Sequence, residues 1–422
     1  MKRRDVIKSG VKFGLGSAFY SVLNRHSWAS TSEEQLFADA RGMLQVPRGF
    51  SVKLIQRAGQ KMSDNYRMPG MPDGMACFPG ANNTIVLMRN HELPLFQHLD
   101  DGEHTAYSRS NAPSYAYDRA GAGGVSRVVL DPQSLEVLHS NMVLAGTERN
   151  CAGGISPWGW LSCEETVSRG HGYVFLCSTT ANSLEKPRRI ACYGRFNHEA
   201  AVVDPSTHIA YLTEDRSDGC FYRFIPHKFD EPFSGKLQAL GIKNRRRFDT
   251  SDDMKLEDTM EVEWIDLPRQ GSSDDLRDVA QDLGAARVKR GEGVWFHDNT
   301  VYFSSTSGGP KNKGQIFALH VNDGPEDQLS LIVQADSDNS LDMPDNITVS
   351  PNGTLFLAED GRGSQYIRLV NKRRDMFTFA KNIISNSEIA GLTFDPTGQT
   401  LFLNIQYNGL TLAVTGPFNR YT

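Results

Sequence analysis

The sequence predicts an all-β fold, a six-bladed β-propeller, because one hairpin pattern recurs six times along the chain. In each copy a short apolar run meets a Pro, Asn, Asp or Gly turn and returns as an alternating apolar strand, the pattern of a β-hairpin. The copies span 77–92, 155–165, 202–215, 294–306, 349–360 and 394–406. Their spacing, roughly 45 to 90 residues, is typical of propellers and solenoids.

Length and composition agree with one exported or soluble domain at 31–422. The chain has 422 residues, and a propeller of this size needs no second domain because each blade packs only against its neighbours. Hydrophobic residues make up 39% and charged residues 23%, which is ordinary for a globular protein. A net charge of −5 gives no reason to expect a nucleic-acid partner. We also expect the protein to be a monomer.

The first thirty residues predict an export signal rather than part of the fold. Arg3 and Arg4 lie in a Lys-Arg-Arg-Asp-Val-Ile-Lys run, followed by a weakly apolar stretch at 11–23 and small residues near Ala29. This order resembles a twin-arginine signal peptide over 1–30. The apolar stretch is too short to span a bilayer, so we expect the twin-arginine export (Tat) machinery as a partner, no stable membrane anchor, and a periplasmic or secreted protein.

Before each hairpin turn lies a second polar position at the start of the inner strand. These positions are Asp73, Cys151, Glu199, Glu292, Asn346 beside Asp345, and Glu388. In a propeller the inner strands line the central channel, so these side chains are expected to converge on its axis. Carboxylates that converge repel one another unless cations lie between them. The sequence therefore predicts an axial polynuclear metal site.

The ends of the paired strands supply a second set of oxygen donors. They are Glu92, Glu164, Glu214 and Glu359, with Asp215 beside them. Calcium takes six to eight oxygens, so both sets are candidate ligands, although Asp and Asn beside turns often serve only the turn. An Asn-His-Glu triplet occurs twice, at 90–92 and 197–199, and each histidine is a ligand or a hydrogen-bonded core residue.

Cys151 is set apart from the other five cysteines by its surroundings. It follows Asn150 and precedes Ala152-Gly153-Gly154, where the backbone leaves room for a ligand. A thiolate among hard carboxylates would select a transition metal such as iron. The six cysteines together allow three disulfides in an oxidising compartment or a set of buried thiols.

The order of the motifs resembles the PhoX-type alkaline phosphatase family. The chain carries PDGMA, RNHE, RNCAGGISPWGWLSCEE, FNHEAAVVDP, RGEGVWF, DNITVSPNGTLFLAEDG and EIAGLTFDPTGQTLFLNIQ in succession. The resemblance implies a six-bladed propeller, twin-arginine export and a central cluster of Fe(III) and Ca2+ ions that hydrolyses phosphate esters. It also implies that Cys151, in the NCAGG motif, ligates iron.

The expected activity is therefore phosphate-ester hydrolysis by a metal-activated hydroxide or oxide at an iron-calcium cluster in the channel. Cys151, Glu199, Glu292 and Glu388 are the expected catalytic residues around the cations. A phosphate is best held bidentately by an arginine. The arginines beside the site motifs are Arg149 and Arg216, with Arg195 and Arg362 as further candidates.

Two other functions remain open. A calcium-dependent lactonase or esterase can use the same fold and acidic ligands, and so can a non-catalytic extracytoplasmic propeller in which calcium only neutralises the channel. No GxSxG nucleophile motif is present in the sequence. The charged segment at about 235–286 is expected to be an insertion, with one outer strand and a loop that forms a lid or is simply solvated.

Overall fold

The computed structural model describes residues 34–96, 105–268, 276–321, 326–336 and 341–421. Strands dominate these residues, so the predicted all-β class is confirmed. The predicted signal peptide at 1–30 lies outside the described residues. No helix among the described residues has the length and apolar character needed to cross a bilayer.

The strands and helices occur in the following order. The strands are β1 (Leu36–Ala38), β2 (Leu44–Pro47), β3 (Ser51–Arg57), β4 (Pro72–Pro79), β5 (Ile85–His91), β6 (Gly123–Leu130), β7 (Val137–Thr147), β8 (Asn150–Ser156), β9 (Gly159–Glu164), β10 (Val174–Cys177), β11 (Arg189–Ile190), β12 (His198–Val203), β13 (Ala210–Glu214), β14 (Phe221–Pro226), β15 (Gly235–Ile242), β16 (Thr259–Asp266), β17 (Gly291–His297), β18 (Thr300–Ser305), β19 (Gln315–His320), β20 (Gln328–Gln334), β21 (Pro344–Val349), β22 (Leu355–Glu359), β23 (Tyr366–Val370), β24 (Met376–Asn382), β25 (Ile389–Phe394), β26 (Thr400–Ile405) and β27 (Leu410–Thr415). The α-helices are α1 (Thr250–Asp253) and α2 (Leu276–Leu283).

The strands form antiparallel sheets arranged as a propeller-like ring. Sheets of four strands are β4-β5-β6-β7, β11-β10-β9-β8 and β25-β26-β27-β3. A six-stranded sheet has the order β1-β2-β24-β23-β22-β21. The first strands of the hairpins contact one another in a closed cycle, β4 to β8, β12, β17, β21, β25 and back to β4. These inner strands therefore surround one axis.

The remaining sheet differs from the prediction of six separate blades. It has nine strands in the order β12-β13-β14-β15-β16-β20-β19-β18-β17. Strand β16 pairs with β15 on one side and with β20 on the other, and so joins two four-stranded meanders. The described residues thus form five hydrogen-bonded sheets. The two meanders merge because the unpaired backbone groups of the edge strand β20 form hydrogen bonds with β16.

The predicted insertion at 235–286 is partly integral to this sheet. Its first strand, β15, pairs with β14 over five residue pairs and is the outer strand of a meander. Strand β16 and the two helices follow it, and residues 269–275 lie outside the described part of the chain. The segment therefore contributes to the scaffold as well as to its connections.

Pairing of distant strands closes the ring. Strand β3, from the start of the described chain, pairs with β27 near its end over Leu410↔Arg57 to Thr415↔Ser51. The β1-β2 hairpin extends the edge of β24. Since an open sheet edge exposes unpaired backbone groups, these pairings protect two edges.

Close packing narrows the channel behind the first residues of the inner strands. A Cβ atom added at Gly154 would lie 1.7 Å from the carbonyl oxygen of Ala201, so only glycine fits between β8 and β12. Away from the axis, aromatic rings join neighbouring meanders. The centroid of Phe221 lies 4.3 Å from that of Phe303, and Phe303 lies 5.0 Å from Phe317. The sheets therefore hold the inner strands at fixed separations.

Candidate metal centre

A β-bulge at the start of each inner strand directs one residue out of the regular pairing. In β4, for example, Pro72 pairs with His91 and the next pair is Met75 with Arg89, which leaves Asp73 in the bulge. The equivalent residues of four other inner strands are Cys151, Glu199, Glu292 and Asp345. A bulge commonly re-aims a side chain beside a functional site. In β25 the bulge holds Gly391 instead. The acid associated with this strand, Glu388, directly precedes its first residue, Ile389.

The structure brings the inner-strand acids together in three linked groups. Within each group, one carboxylate oxygen from every residue lies within 4.8 Å of the others. The groups are Asp73, Glu92 and Glu388; Asp345, Asp360 and Glu388; and Glu199, Glu292 and Asp345. Glu388 belongs to the first two groups and Asp345 to the last two. The three groups therefore form one continuous cluster of seven acids, which we call the acid cluster.

A second ring of residues lies at the ends of the second strands. Each follows directly on β5, β9, β13, β18, β22 or β26, and they are Glu92, Glu165, Asp215, Thr306, Asp360 and Gln406. The amide of Gln406 donates hydrogen bonds to Asp73 Oδ2 at 2.7 Å and to Glu92 Oε2 at 2.9 Å. This second ring therefore adjoins the acid cluster from a different set of strands. Two residues of the predicted second set, Glu92 and Asp215, lie in it.

Three predicted ligands, Glu164, Glu214 and Glu359, lie outside the acid cluster. They are the last residues of β9, β13 and β22, one position before the residues of the second ring. Because successive side chains of a strand point to opposite faces, these three point away from the neighbours that face the site. The next residue in each case, Glu165, Asp215 or Asp360, lies in the second ring instead, and of these three Asp360 belongs to the acid cluster.

The three displaced glutamates instead hold the loops around the site. Glu164 Oε1 lies 2.6 Å from His171 Nδ1 and accepts the backbone N–H of Glu148 at 3.0 Å. Glu359 Oε1 accepts from Arg368 Nε at 2.9 Å and from the N–H of Asp342 at 3.0 Å.

Glu214 makes a related set of contacts. Its Oε2 accepts the Tyr222 hydroxyl at 2.8 Å and the N–H of Cys220 at 3.1 Å. Glu148 and Asp342 each lie three residues before a bulge residue. Glu164 and Glu359 therefore fix the chain that leads into β8 and β21.

The first Asn-His pair and Asn346 also have structural partners. Asn90 donates to the carbonyl oxygens of Cys151 and Ala152 at 3.0 and 2.6 Å, and His91 lies 2.9 Å from the Gly70 carbonyl oxygen. Burial lowers the pKa of His198 to about 3, so its ring is neutral. His198 lies in none of the three acid groups among the described residues. The amide oxygen of Asn197 is buried and has no hydrogen-bond partner in that part of the chain.

Asn346, the second residue of its bulge, uses its amide oxygen to accept the N–H of Leu392 at 2.9 Å. Its side chain therefore links β21 to β25. Asp345, its neighbour, is the member of the pair that joins the acid cluster.

Two arginines make ion pairs with the acids of the site. Arg149 lies 3.2 Å from Glu92 and 3.3 Å from Glu165. Arg290, which the sequence analysis missed, forms a bidentate pair with Asp215 at 2.8 and 3.1 Å and contacts Glu292 at 2.8 Å. Each arginine directly precedes the first residue of an inner strand, Arg149 before β8 and Arg290 before β17. This shared position is the sequence signal that could have identified Arg290.

The other predicted arginines do not pair with these acids. Arg195 donates to the carbonyl oxygens of His171 and Ser168, each at 2.8 Å, and so supports a loop. The Nε atom of Arg216 is buried and has no hydrogen-bond partner among the described residues. Arg362 is exposed.

The approach to the inner strands is strained in a repeated way. The residue before the strand has a left-handed backbone in Met71, Arg149, Arg290 and Met343, with φ between 46° and 54°. Such a conformation costs a non-glycine residue about 1 kcal/mol or more and is often found at functional sites. The repeated left-handed turn introduces the bulge that follows two residues later.

Burial and mutual repulsion make the acid cluster hard to ionise by itself. Burial is the largest cause that raises the pKa values of Asp73, Glu199, Glu292 and Glu388, and repulsion from neighbouring carboxylates raises them further. The same causes raise the pKa of Asp345 to about 8. Clustered oxygen donors of this kind fit hard cations such as Ca2+, which restore the ionised form.

The thiol of Cys151 lies beside the acid cluster. Its Sγ atom is 3.4 Å from the carbonyl oxygen of His198 and 3.5 Å from that of Glu199. Burial, and then the charges of Glu199 and Glu165, raise its pKa. Cys151 belongs to none of the three acid groups found in the described part of the chain. All six cysteines are unpaired, so the chain contains no disulfide.

Comparison with protein families identifies the chain. The family model described as alkaline phosphatase PhoX matches residues 31–142 and 132–409. The chain belongs to this family. It is accordingly a phosphoric ester hydrolase of the alkaline phosphatase type, which confirms the resemblance seen in the sequence. A search of curated proteins found no match.

Solved structures agree with the fold. The structure of Pseudomonas fluorescens PhoX in complex with vanadate, a transition state analogue, is 16% identical, covers 92% of this chain and 97% of its own, and has a TM-score of 0.72. A gluconolactonase from Xanthomonas campestris is 13% identical, covers 86% of this chain and 94% of its own, and has a TM-score of 0.39. The PhoX structure thus shares the overall fold, whereas the gluconolactonase agrees too weakly to bear on function.

Removing cations should make stability depend on pH in a defined direction. The pKa values of Asp345 and Glu165 are about 8 in the folded chain, well above the ordinary values of 3.8 and 4.5. Between these values the folded state binds more protons than the unfolded state, so stability falls as pH rises. We expect the unfolding temperature of cation-free protein to drop between about pH 5 and pH 8. Added Ca2+ should abolish the drop, and a parallel profile with and without Ca2+ would contradict the assignment.

Two adjacent acids at the end of β22, Glu359 and Asp360, allow a test of which one faces the acid cluster. Asp360→Asn should weaken Ca2+ binding about tenfold or more, measured by titration calorimetry, because it removes a charge from the acid cluster. Glu359→Gln should leave that affinity unchanged. It should instead destabilise the fold by about 2 kcal/mol, since the charge-assisted hydrogen bond from Arg368 is weakened. The reverse pattern would return Glu359 to the ligand set.

Proposed function

We propose that the chain hydrolyses phosphate esters at the acid cluster when the cluster holds cations. The observation that supports this is the linkage of seven acids through the shared residues Glu388 and Asp345. A single cation needs only one such group, whereas three overlapping groups suit several cations a few ångströms apart. We also propose that the nine-stranded sheet corresponds to two blades joined by β16, which makes a six-bladed propeller around the axis.

The cation set we propose is calcium with Fe(III). The carboxylates of the acid cluster, with Glu165 and Asp215 beside them, suit calcium because they supply oxygen only. Cys151 occupies the bulge position that carries an acid in four other inner strands. A thiolate there favours a transition metal, so we assign iron to the side of Cys151 and Glu199. Bound cations supply positive charge that polarises the phosphoryl group and the attacking oxygen.

The chain's own residues would bind and orient the substrate. The side chain of Arg149 is 45% exposed and that of Arg290 31%, so each has free N–H groups beside its acid partners. A guanidinium can hold two phosphoryl oxygens at once. We assign phosphate binding to Arg149. We assign to Arg290 a positioning role, in which it orients Glu292 and Asp215. Arg216 is a weaker candidate because its Nε is buried.

Metal content and activity test this function together. We expect purified protein to contain calcium and iron and to hydrolyse a phosphomonoester. Glu292→Gln should lower kcat/KM about 100-fold, because it removes a carboxylate that would hold the cations that stabilise the transition state. Glu263→Gln, on the exposed face of β16, is the matched control and should leave kcat/KM unchanged. Calcium without phosphatase activity would favour the lactonase or the binding propeller.

Cys151→Ser separates the two metals. Serine keeps the size of the side chain but is a poor ligand for iron at neutral pH. We expect the variant to lose iron, measured by elemental analysis, while calcium remains. Cys77→Ser, in the buried part of β4, is the control for loss of a buried thiol. Equal iron in wild type and Cys151→Ser would remove Cys151 from the ligand set.

We further propose that the N-terminal segment directs twin-arginine export of a monomer to the periplasm or the medium. Replacement of Arg3 and Arg4 by lysine should retain the precursor in the cytoplasm, because this pathway reads the paired arginines. Cell fractionation and immunoblotting measure the distribution. Lys2→Arg, which keeps the pair, should be exported like wild type. Export of the double variant at the wild-type rate would point to another route.

A further inference from the structure

Tyr407 is an exposed aromatic residue on a tightly held turn. It follows Gln406 and lies between β26 and β27, in a turn closed by the hydrogen bond from the N–H of Gly409 to the Gln406 carbonyl oxygen at 2.9 Å. Its own N–H donates to Ser387 Oγ at 2.9 Å. At 72% relative exposure it is the most exposed large hydrophobic or aromatic residue of the described chain. A ring that is exposed on a backbone held in this way is available to contact a bound molecule.

The turn places Tyr407 on the rim of the acid cluster. Gln406, its neighbour in sequence, bridges Asp73 and Glu92 through its amide. Ser387, its hydrogen-bond partner, directly precedes Glu388. Burial, followed by the charges of Glu388 and Glu92, raises the pKa of Tyr407, which agrees with this position. The backbone of Tyr407 is thus held on both sides by residues that adjoin the first acid group.

The ring of Tyr407 has no stacking partner in the described residues, unlike the aromatic pairs of the core. Arg149 contacts Glu92 and is the exposed cation on this side of the site. A phosphoryl group held near Arg149 would direct its ester substituent outwards, past the rim. An aromatic face at the rim binds a flat apolar group better than a flexible polar one.

We propose that Tyr407 receives the organic part of the substrate and makes the site selective for phosphate monoesters whose organic part carries an aromatic ring, such as aryl phosphates and nucleoside monophosphates. This inference rests on the proposed function, since it assumes that phosphate esters bind at the acid cluster. Tyr407 is then a specificity residue that contacts the leaving group by stacking. The hydroxyl group is not required for this contact.

The experiment uses the cation-loaded protein and compares esters that carry an aromatic ring with an ester that has none. Tyr407→Leu should lower kcat/KM for p-nitrophenyl phosphate and adenosine monophosphate about fivefold, chiefly through KM, as expected for one lost stacking contact. It should leave kcat/KM for glycerol phosphate unchanged. Tyr407→Phe keeps the ring and should retain the wild-type preference. Phe229→Leu, whose residue is 57% exposed at the opposite end of its sheet, is the matched control.

Binding measured without turnover gives an independent readout. Calorimetry should show that phenylphosphonate binds wild type about fivefold more tightly than methylphosphonate, and that Tyr407→Leu loses this difference. Equal loss for both phosphonates, or retention of the aromatic preference in Tyr407→Leu, would overturn the role of Tyr407. If no ester is hydrolysed by any variant, including wild type, the proposed function fails instead. The two failures are therefore distinguishable.

Discussion

Repulsion among buried carboxylates is the constraint on which the rest of the site depends. Seven acids lie in three groups that share members, and the two guanidinium groups paired with the site's acids cannot balance them. In a medium of low polarity, unbalanced charge either takes up protons or attracts cations. The acids of the cluster are therefore expected to be ionised together only where cations neutralise them. Binding and folding are linked at this point, because the same carboxylates terminate the strands that surround the axis.

The scaffold meets this repulsion by fixing the chain on either side of each acid. A left-handed residue such as Met343 precedes the strand, a bulge then presents Asp345, and Glu359 on the next strand holds the N–H of Asp342. Backbone strain of this kind persists only where surrounding contacts determine the conformation. The buried glutamates therefore contribute to the site without belonging to it. Glu164 and Glu359 stabilise the loops that lead into the inner strands.

Selectivity is decided at the rim rather than in the cluster. The arginines, and cations held by the acids, would bind any phosphoryl group, because they contact its charge and not the organic substituent. Residues of the loops at the channel mouth, Tyr407 among them, are what a substituent would meet. This separation between a charged centre and a variable rim is how one fold can serve substrates of different size.

The all-β class, the six hairpins, the inner-strand acids and the family could all be predicted from the amino-acid sequence. Each of these is encoded locally, in turn residues and in the alternation of apolar and polar positions. Asp73, Glu199, Glu292 and Asp345 were predictable because they adjoin strand starts. Only the tertiary structure decided that Asp360 rather than Glu359 faces the site, since a shift of one residue in a strand reverses the face. It also decided the pairing of Arg290 with Asp215, 75 residues away, and the joining of β3 to β27 and of β15 to β20 through β16. These contacts join segments that are far apart in the sequence, and no local pattern records which charges and edges the closed ring will bring together.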